Sequence, residues 1–135
     1  QGKGVKKRSS RQSERRVKVG RYENILILSP DCTKGEEEDL LNRIRANFAK
    51  TGATIIKEDD WSIRRLAYPI RKKDKGHYFF FLLDMDEAGL GAIGKFYKNI
   101  DFILRHMMVR VDDNEKGPDK APDHVLFDEL ESEFS

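Results

Sequence analysis

Cysteine is almost absent from the chain. Cys32 stands alone, so no disulfide can form within the chain and no CxxC pair is present to hold a structural metal. That usage fits a reducing compartment. Long apolar runs are also missing. The longest, residues 78–83, is the length of a strand and far short of the roughly 18 residues that read as a membrane helix. No membrane partner is therefore expected. Histidine is scarce, and His77, His106 and His124 stand in no pattern with Cys or Ser that would pair a nucleophile with a base. A phosphate-cradling GxxxxGK[ST] loop is absent as well. The paired acids Asp59-Asp60 and Asp84/Asp86 read as turn and cap residues. Cys32, just before a helix start, has a position that would lower its pKa, but no base accompanies it. The expectation is a protein that is not an enzyme, with no catalytic residue, metal, cofactor or small-molecule substrate.

What is present is charge, unevenly placed. Within 135 residues, 38% are hydrophobic and 37% charged, enough for one modest core with a heavily charged exterior and hence for one domain. The net charge of +2 conceals two opposite ends. Residues 1–21 hold nine Lys/Arg against the single acid Glu14, whereas residues 112–135 hold nine Asp/Glu against two Lys. The stretch between them is nearly neutral. A dense basic arm points to a polyanion as partner.

Residues 1–20 contain too few large apolar groups to offset their ordering entropy, so they are expected to be disordered when alone. Residues 22–29 read as a buried strand closed by Pro30. Thr33 and Glu36 have capping-box spacing, acids crowd the first turn, and Leu40, Leu41, Ile44 and Phe48 recur at helical intervals up to Gly52. This predicts a helix over 34–50. Residues 53–70 read as a long strand with a bulge or bend near 58–60, and Pro69 disfavours a central position for it. A hairpin tip is predicted at 71–76. Residues 77–85 are apolar on both faces, as in the middle of a sheet. Asp86 caps a second predicted helix at 87–99, weakened by Gly89, Gly91 and Gly94. A last strand follows at 102–111. Gly117-Pro118 and Ala121-Pro122 then mark an acidic linker, with a short docking helix possible at 125–130.

The order βαββαβ predicts an α+β fold of ferredoxin-like type, a four-stranded antiparallel sheet with two helices on one face and the other face open. The expected organisation is a basic N-terminal extension at 1–20, the domain at 21–112, and an acidic C-terminal extension at 113–135.

The candidate functional residues are basic. Arg64 and Arg65 are neighbours in a strand, so they face opposite sides. Arg71, Lys72, Lys73 and Lys75 crowd the hairpin tip, where they can reach phosphates. Trp61, Tyr68 and Tyr78 offer stacking surfaces nearby. Each feature alone is also explained by a solvated turn or a sheet-covering Trp; together with the basic arm they favour RNA. Residues 75–82 resemble the third-strand motif of RNA recognition motifs, although Ile25-Leu26-Ile27-Leu28 lacks that module's first-strand aromatic. The alternative reading is thus a single-stranded RNA-binding module acting outside the ribosome, stacking bases on Tyr78 and Phe80.

The stretch Asp60-Trp61-Ser62-Ile63-Arg64-Arg65-Leu66-Ala67-Tyr68-Pro69-Ile70 resembles the signature of the bacterial-type ribosomal protein S6 family, which shows Trp-Gly-x-Arg-x-Leu-Ala-Tyr-Pro-Ile. Tyr22-Glu23, Pro30-Asp31, residues 75–78 and residues 103–110 resemble other parts of that family, so the likeness covers about 21–112. Ser62 stands where the family has Gly, and both extensions lie beyond the likeness. The resemblance implies a structural constituent of the small ribosomal subunit, without enzymatic activity. It further implies binding to the central domain of small-subunit ribosomal RNA, with ribosomal protein S18 as partner. By that analogy Arg64, Arg65, Arg71, Lys72, Lys73 and Arg110 would contact RNA or partner, and Lys6, Lys7, Arg8, Arg11, Arg15 and Arg16 would add phosphate contacts that order on binding. The basic arm and a first residue that is not Met tilt the expected location toward an organelle ribosome, plastid (chloroplast) or mitochondrial, over a bacterial cytoplasm.

Overall fold

The computed structural model describes residues 19–122. The elements run β1 (Val19–Leu28), α1 (Lys34–Lys50), β2 (Thr54–Ile70), β3 (Lys73–Asp86), a 3-10 turn (Glu87–Gly89), α2 (Leu90–Lys98) and β4 (Ile103–Val111). Among the described residues no helix is long and apolar enough to cross a membrane.

Helix α1 has the predicted bounds because both of its ends are written locally. The Thr33 hydroxyl accepts from the Glu36 amide at 3.1 Å, and the Glu36 carboxylate accepts from the Thr33 amide at 2.9 Å. At the other end Gly52 takes φ +82°, while Gly52 and Ala53 donate back to the carbonyls of Ala49 and Phe48. The second helix is shorter than the sequence predicts. Asp86 accepts from the Ala88 amide as expected, but the first turn is 3-10. Gly89 sits there against the Thr51 carbonyl oxygen, where an added Cβ would lie 3.2 Å away.

The strands form one sheet in the order β2-β3-β1-β4, with every neighbouring pair antiparallel. Two helices and this order make the ferredoxin-like α+β fold. β1 and β3 are central, which explains why their apolar runs face both ways. β2 is an edge, so Pro69 lacks no ladder partner on its outer side. The predicted irregularity in β2 occurs three times, as register shifts at Ile55/Lys57, Asp60/Ile63 and Arg65/Ile70. Ser62 lies inside the second and keeps φ +71°, the left-handed angle that a Gly would adopt freely. The Asp60 carboxylate accepts from its amide at 2.8 Å.

The hairpin tip is tighter than residues 71–76. Arg71 and Lys72 form it alone, both with positive φ (+50° and +68°), the two-residue turn whose twist matches the flanking strands. Lys73, Asp74, Lys75 and Gly76 belong to β3.

Both faces of the sheet are buried. The helix side holds Leu26, Leu28, Leu41, Ile44, Phe48, Phe81, Leu83 and Ile93. One polar group is buried among them: Asn24 donates to the Met107 carbonyl at 2.8 Å and accepts from the Tyr97 hydroxyl at 2.7 Å. The face expected to be open carries a second cluster of Ile25, Ile27, Trp61, Leu66, Tyr78, Phe80 and Leu82. The described part of the acidic extension runs over it. Gly117, at φ +77°, packs on the Phe80 ring so closely that a Cβ would come within 3.2 Å. Residues read as a linker are therefore a strap across the sheet. The possible helix at 125–130 lies outside the described residues.

Candidate nucleic-acid interface

Some of the cationic side chains are bound internally, and others gather at one end of the molecule. Arg64 is bound internally. Its guanidinium lies 5.8 Å from the ring centroids of both Trp61 and Tyr78, its Nε donates to the Trp61 carbonyl, and its Nη1 donates to the Pro122 carbonyl at 2.6 Å. Arg64, expected from the sequence to contact RNA or a partner, engages the strap here. Arg110 is similar. It lies 5.6 Å from the Tyr22 ring centroid and donates to the carbonyls of Arg21 and Val111 and to the Asp113 carboxylate. It also sits at the end of the sheet away from the hairpin, because Tyr22 pairs with Arg110 whereas Leu28 pairs with His77.

Two further cations hold the strap. Lys57 donates to the Pro118 carbonyl, and Arg21 Nη1 donates to the Glu115 carbonyl at 2.9 Å. The remaining Arg21 fork grips the Asp84 carboxylate at 2.7 and 2.8 Å. That hydrogen bonding holds the Asp84 carboxyl below its usual range. Burial, with Glu115 nearby, pushes the Glu23 carboxyl up.

The aromatic surfaces expected to stack bases are already covered. Trp61 stacks on Phe80, rings 4.9 Å apart and 10° from parallel. Trp61, Tyr78 and Phe80 are only 5%, 0% and 1% exposed. The base-stacking role foreseen for Trp61 and Tyr78, and for Phe80 in the alternative reading, does not fit that burial. Tyr68 is half-buried.

A second group of cations collects around the β2–β3 hairpin. Arg65 is exposed and stands opposite Lys75 in the register, a like-charge pair that disfavours folding unless a counter-charge arrives. Lys72 is exposed on the turn and Lys73 pairs with Asp31. Arg71 donates from Nη1 to the Asp101 carbonyl at 2.9 Å, which ties the turn to the segment between α2 and β4. There a cleft of about 300 Å³ opens, with Arg71, Lys98, Arg105 and His106 around Ile103 and Leu104. Sequence reasoning missed Lys98, Arg105 and His106 as a group, because they come from different elements and no motif joins them. The six basic residues named in the arm, Lys6 to Arg16, lie outside the described residues.

The remaining chemistry is structural. His77 bridges the Glu37 and Asp60 carboxylates at 2.7 Å each and stacks on Phe79, joining α1 to the β2–β3 hairpin. Cys32 does not have the lowered pKa its position suggested: burial raises it, and Glu36 and Glu37 raise it further. No group of His, Cys, Asp and Glu among the described residues is arranged to hold a metal ion.

Comparison with known proteins adds a family. The family model described as ribosomal protein S6 matches residues 21–110. The small ribosomal subunit protein bS6 of Limosilactobacillus reuteri is 39% identical over 97 residues, covering 71% of this chain and 99% of the relative. That of Caldanaerobacter subterraneus is 33% identical over 92 residues, covering 68% and 97%. Among solved structures, the crystal structure of 30S ribosomal protein S6 from Thermotoga maritima matches with a TM-score of 0.67 at 26% identity, covering 70% of this chain and 89% of that one.

Proposed function

The chain belongs to the ribosomal protein S6 family of small-subunit proteins, and on that premise we propose that it binds the central domain of small-subunit ribosomal RNA together with ribosomal protein S18. The observation that carries this reading is the family match across 21–110, which spans all four strands of the sheet but the first two residues of β1 and the last of β4. The role is structural, and the reading requires no reaction step. Affinity comes from phosphate contacts and RNA shape, so it weakens as salt rises.

Within the domain, Arg65, Arg71, Lys72 and Lys73 are the contacts we retain from the sequence. Arg64 and Arg110 act indirectly, by holding the strap and the end of β4. The arm residues Lys6, Lys7, Arg8, Arg11, Arg15 and Arg16 supply additional phosphate contacts. The relatives named above are bacterial, and we assign the chain to a small subunit of bacterial type, in a bacterium or in an organelle.

Sedimentation of a source lysate through a sucrose gradient, with the protein followed by immunoblot, tests this. The expected result is co-migration with small subunits that survives a moderate salt wash. Confinement to the soluble top fractions would discard the ribosomal assignment.

A further inference from the structure

We propose that the cationic β2–β3 hairpin is the docking surface of the chain's own acidic end, residues 123–135, which seats there when no RNA is bound. Its competition with RNA rests on the RNA-binding reading above; the docking itself does not.

The strap fixes where that end begins. Its carbonyls are held in succession, Glu115 by Arg21, Pro118 by Lys57 and Pro122 by Arg64. Arg21 stands opposite Asp84 and Val111, at the end of the sheet away from the hairpin. Arg64 stands opposite Gly76, at the base of the hairpin. The strap therefore crosses the sheet toward the hairpin, and residue 123 follows from there. The basic arm leaves from the other end, since Val19 pairs with Asp86. Of the two basic regions that could attract the acidic end, the fold brings it out beside the hairpin. The arm starts the ten-residue length of β1 away.

Charge and apolar pattern agree with that placement. Residues 123–135 carry five Asp/Glu and no Lys or Arg, interleaved with Val125, Leu126, Phe127, Leu130 and Phe134. Residues 64–76 carry six Lys/Arg against Asp74 alone. Lys73 meets Asp31 and Arg71 meets the Asp101 carbonyl, so the docking contacts fall to Arg65, Lys72 and Lys75, all exposed. Arg65 stands opposite Lys75, where like charges repel until an anion comes between them. Ile63 lies two residues from Arg65 on the same face and is 55% exposed, so the patch offers an apolar contact amid its cations.

Reach is not limiting. Arg64 turns toward the strap and Arg65 toward the other face, but β2 is an edge strand, so a chain leaving Pro122 rounds one strand to arrive there. Thirteen residues extend to about 40 Å, and the hairpin from Arg65 to its turn is about 20 Å long. The bond from Arg64 to the Pro122 carbonyl, at 2.6 Å, shortens the loop that must close and raises the effective concentration of the acids at the hairpin. Exposed ion pairs of this kind are individually weak and screened by salt, so the seated end yields to the denser charge of an RNA backbone.

Two readouts on the full chain test this. The first needs no RNA. A zero-length carbodiimide joins a carboxylate to a lysine amine in contact with it, and the joined peptides are identified by mass spectrometry. The expected result is links within single chains from the acids of 123–135 to Lys72 or Lys75, lost at high salt. Links to Lys3, Lys6 or Lys7 of the arm with none to the hairpin would overturn the docking and move the acidic end to the arm. Links confined to dimers would overturn it in favour of a second copy.

The second readout is binding to a transcript of the small-subunit RNA central domain over a salt series. Asp128→Asn, Glu129→Gln, Glu131→Gln and Glu133→Gln together are expected to tighten binding roughly fivefold at low salt and less than about twofold at high salt. In a chain that also carries Arg65→Gln, Lys72→Gln and Lys75→Gln, the same four changes are expected to act less than about twofold, because the two sets share one contact. Equal tightening in both backgrounds would reveal general repulsion of RNA by the acids and overturn the competition. A wild-type chain that fails to bind the transcript would overturn the RNA-binding reading and the competition with it, while the cross-links alone decide the docking.

Discussion

The two faces of the sheet are buried to similar depth by unlike means. On one face, two helices carry their own apolar stripes, and local caps start and stop them. On the other, a segment without helix or strand lies over an aromatic cluster, held by Arg21, Lys57 and Arg64 through the carbonyls of Glu115, Pro118 and Pro122. Backbone oxygens, not the acidic side chains, accept these bonds. The difference shows that the strap depends on the sheet beneath it far more than on its own residues. Of the acids in the extension, Asp113 takes part through its pair with Arg110, while the strap beyond it is held by its carbonyls.

Substitutions can widen or collapse that contrast. The largest effect is expected on the helix face: Phe48→Ala, which removes a buried ring in edge contact with Phe81, should cost about 3–5 kcal/mol in urea unfolding. Removing residues 113–135 should cost less, about 1.5–3 kcal/mol, the scale of re-exposing one large side chain such as Phe80. Trp61, buried under the strap, reports the same event by a red shift of its fluorescence. A loss as large as that of Phe48→Ala would make the strap part of the core and erase the contrast.

A smaller change is expected from Tyr97→Phe, about 1–3 kcal/mol by the same urea measurement, because the Asn24 side-chain oxygen loses its partner in a dry interior. Burial also pushes the Tyr97 hydroxyl well above its usual pKa, so the neutral donor is the form that fits. The smallest effect concerns acid stability on the strap side. Arg21 lowers the folded-state pKa of Asp84, so its contribution is complete above the ordinary carboxylate range and is lost as pH falls through the folded value. Glu23 has the opposite sign: its raised folded pKa makes its charged form unfavourable, and that penalty is relieved as pH falls. Asp84→Asn should therefore flatten the acid limb of thermal stability while leaving Glu23's contribution. An unchanged limb would remove Asp84 from the account.

Much of the fold could be read from the chain because local spacing carries it. The Thr33–Glu36 box, Gly52, and the two-sided apolar runs of β1 and β3 are short-range signals, and the structure uses each of them as read. Pro69 correctly marked β2 as an edge. The candidate site was less legible. Alternation put Arg64 and Arg65 on opposite faces, yet which one turned inward depended on the shift at Asp60/Ile63, where Ser62 adopts the left-handed angle of the glycine it replaces.

What the sequence by itself determined is the set of elements, their order and the opposed charge of the two ends, since caps, periodicity and composition act over a few residues. Only the tertiary structure decided that the second face is covered, that Arg64 and Arg110 reach carbonyls of the chain itself, and that Arg71 comes near Lys98, Arg105 and His106. Those outcomes join residues separated by tens of positions, and their geometry follows from strand register and turn twist rather than from any local pattern.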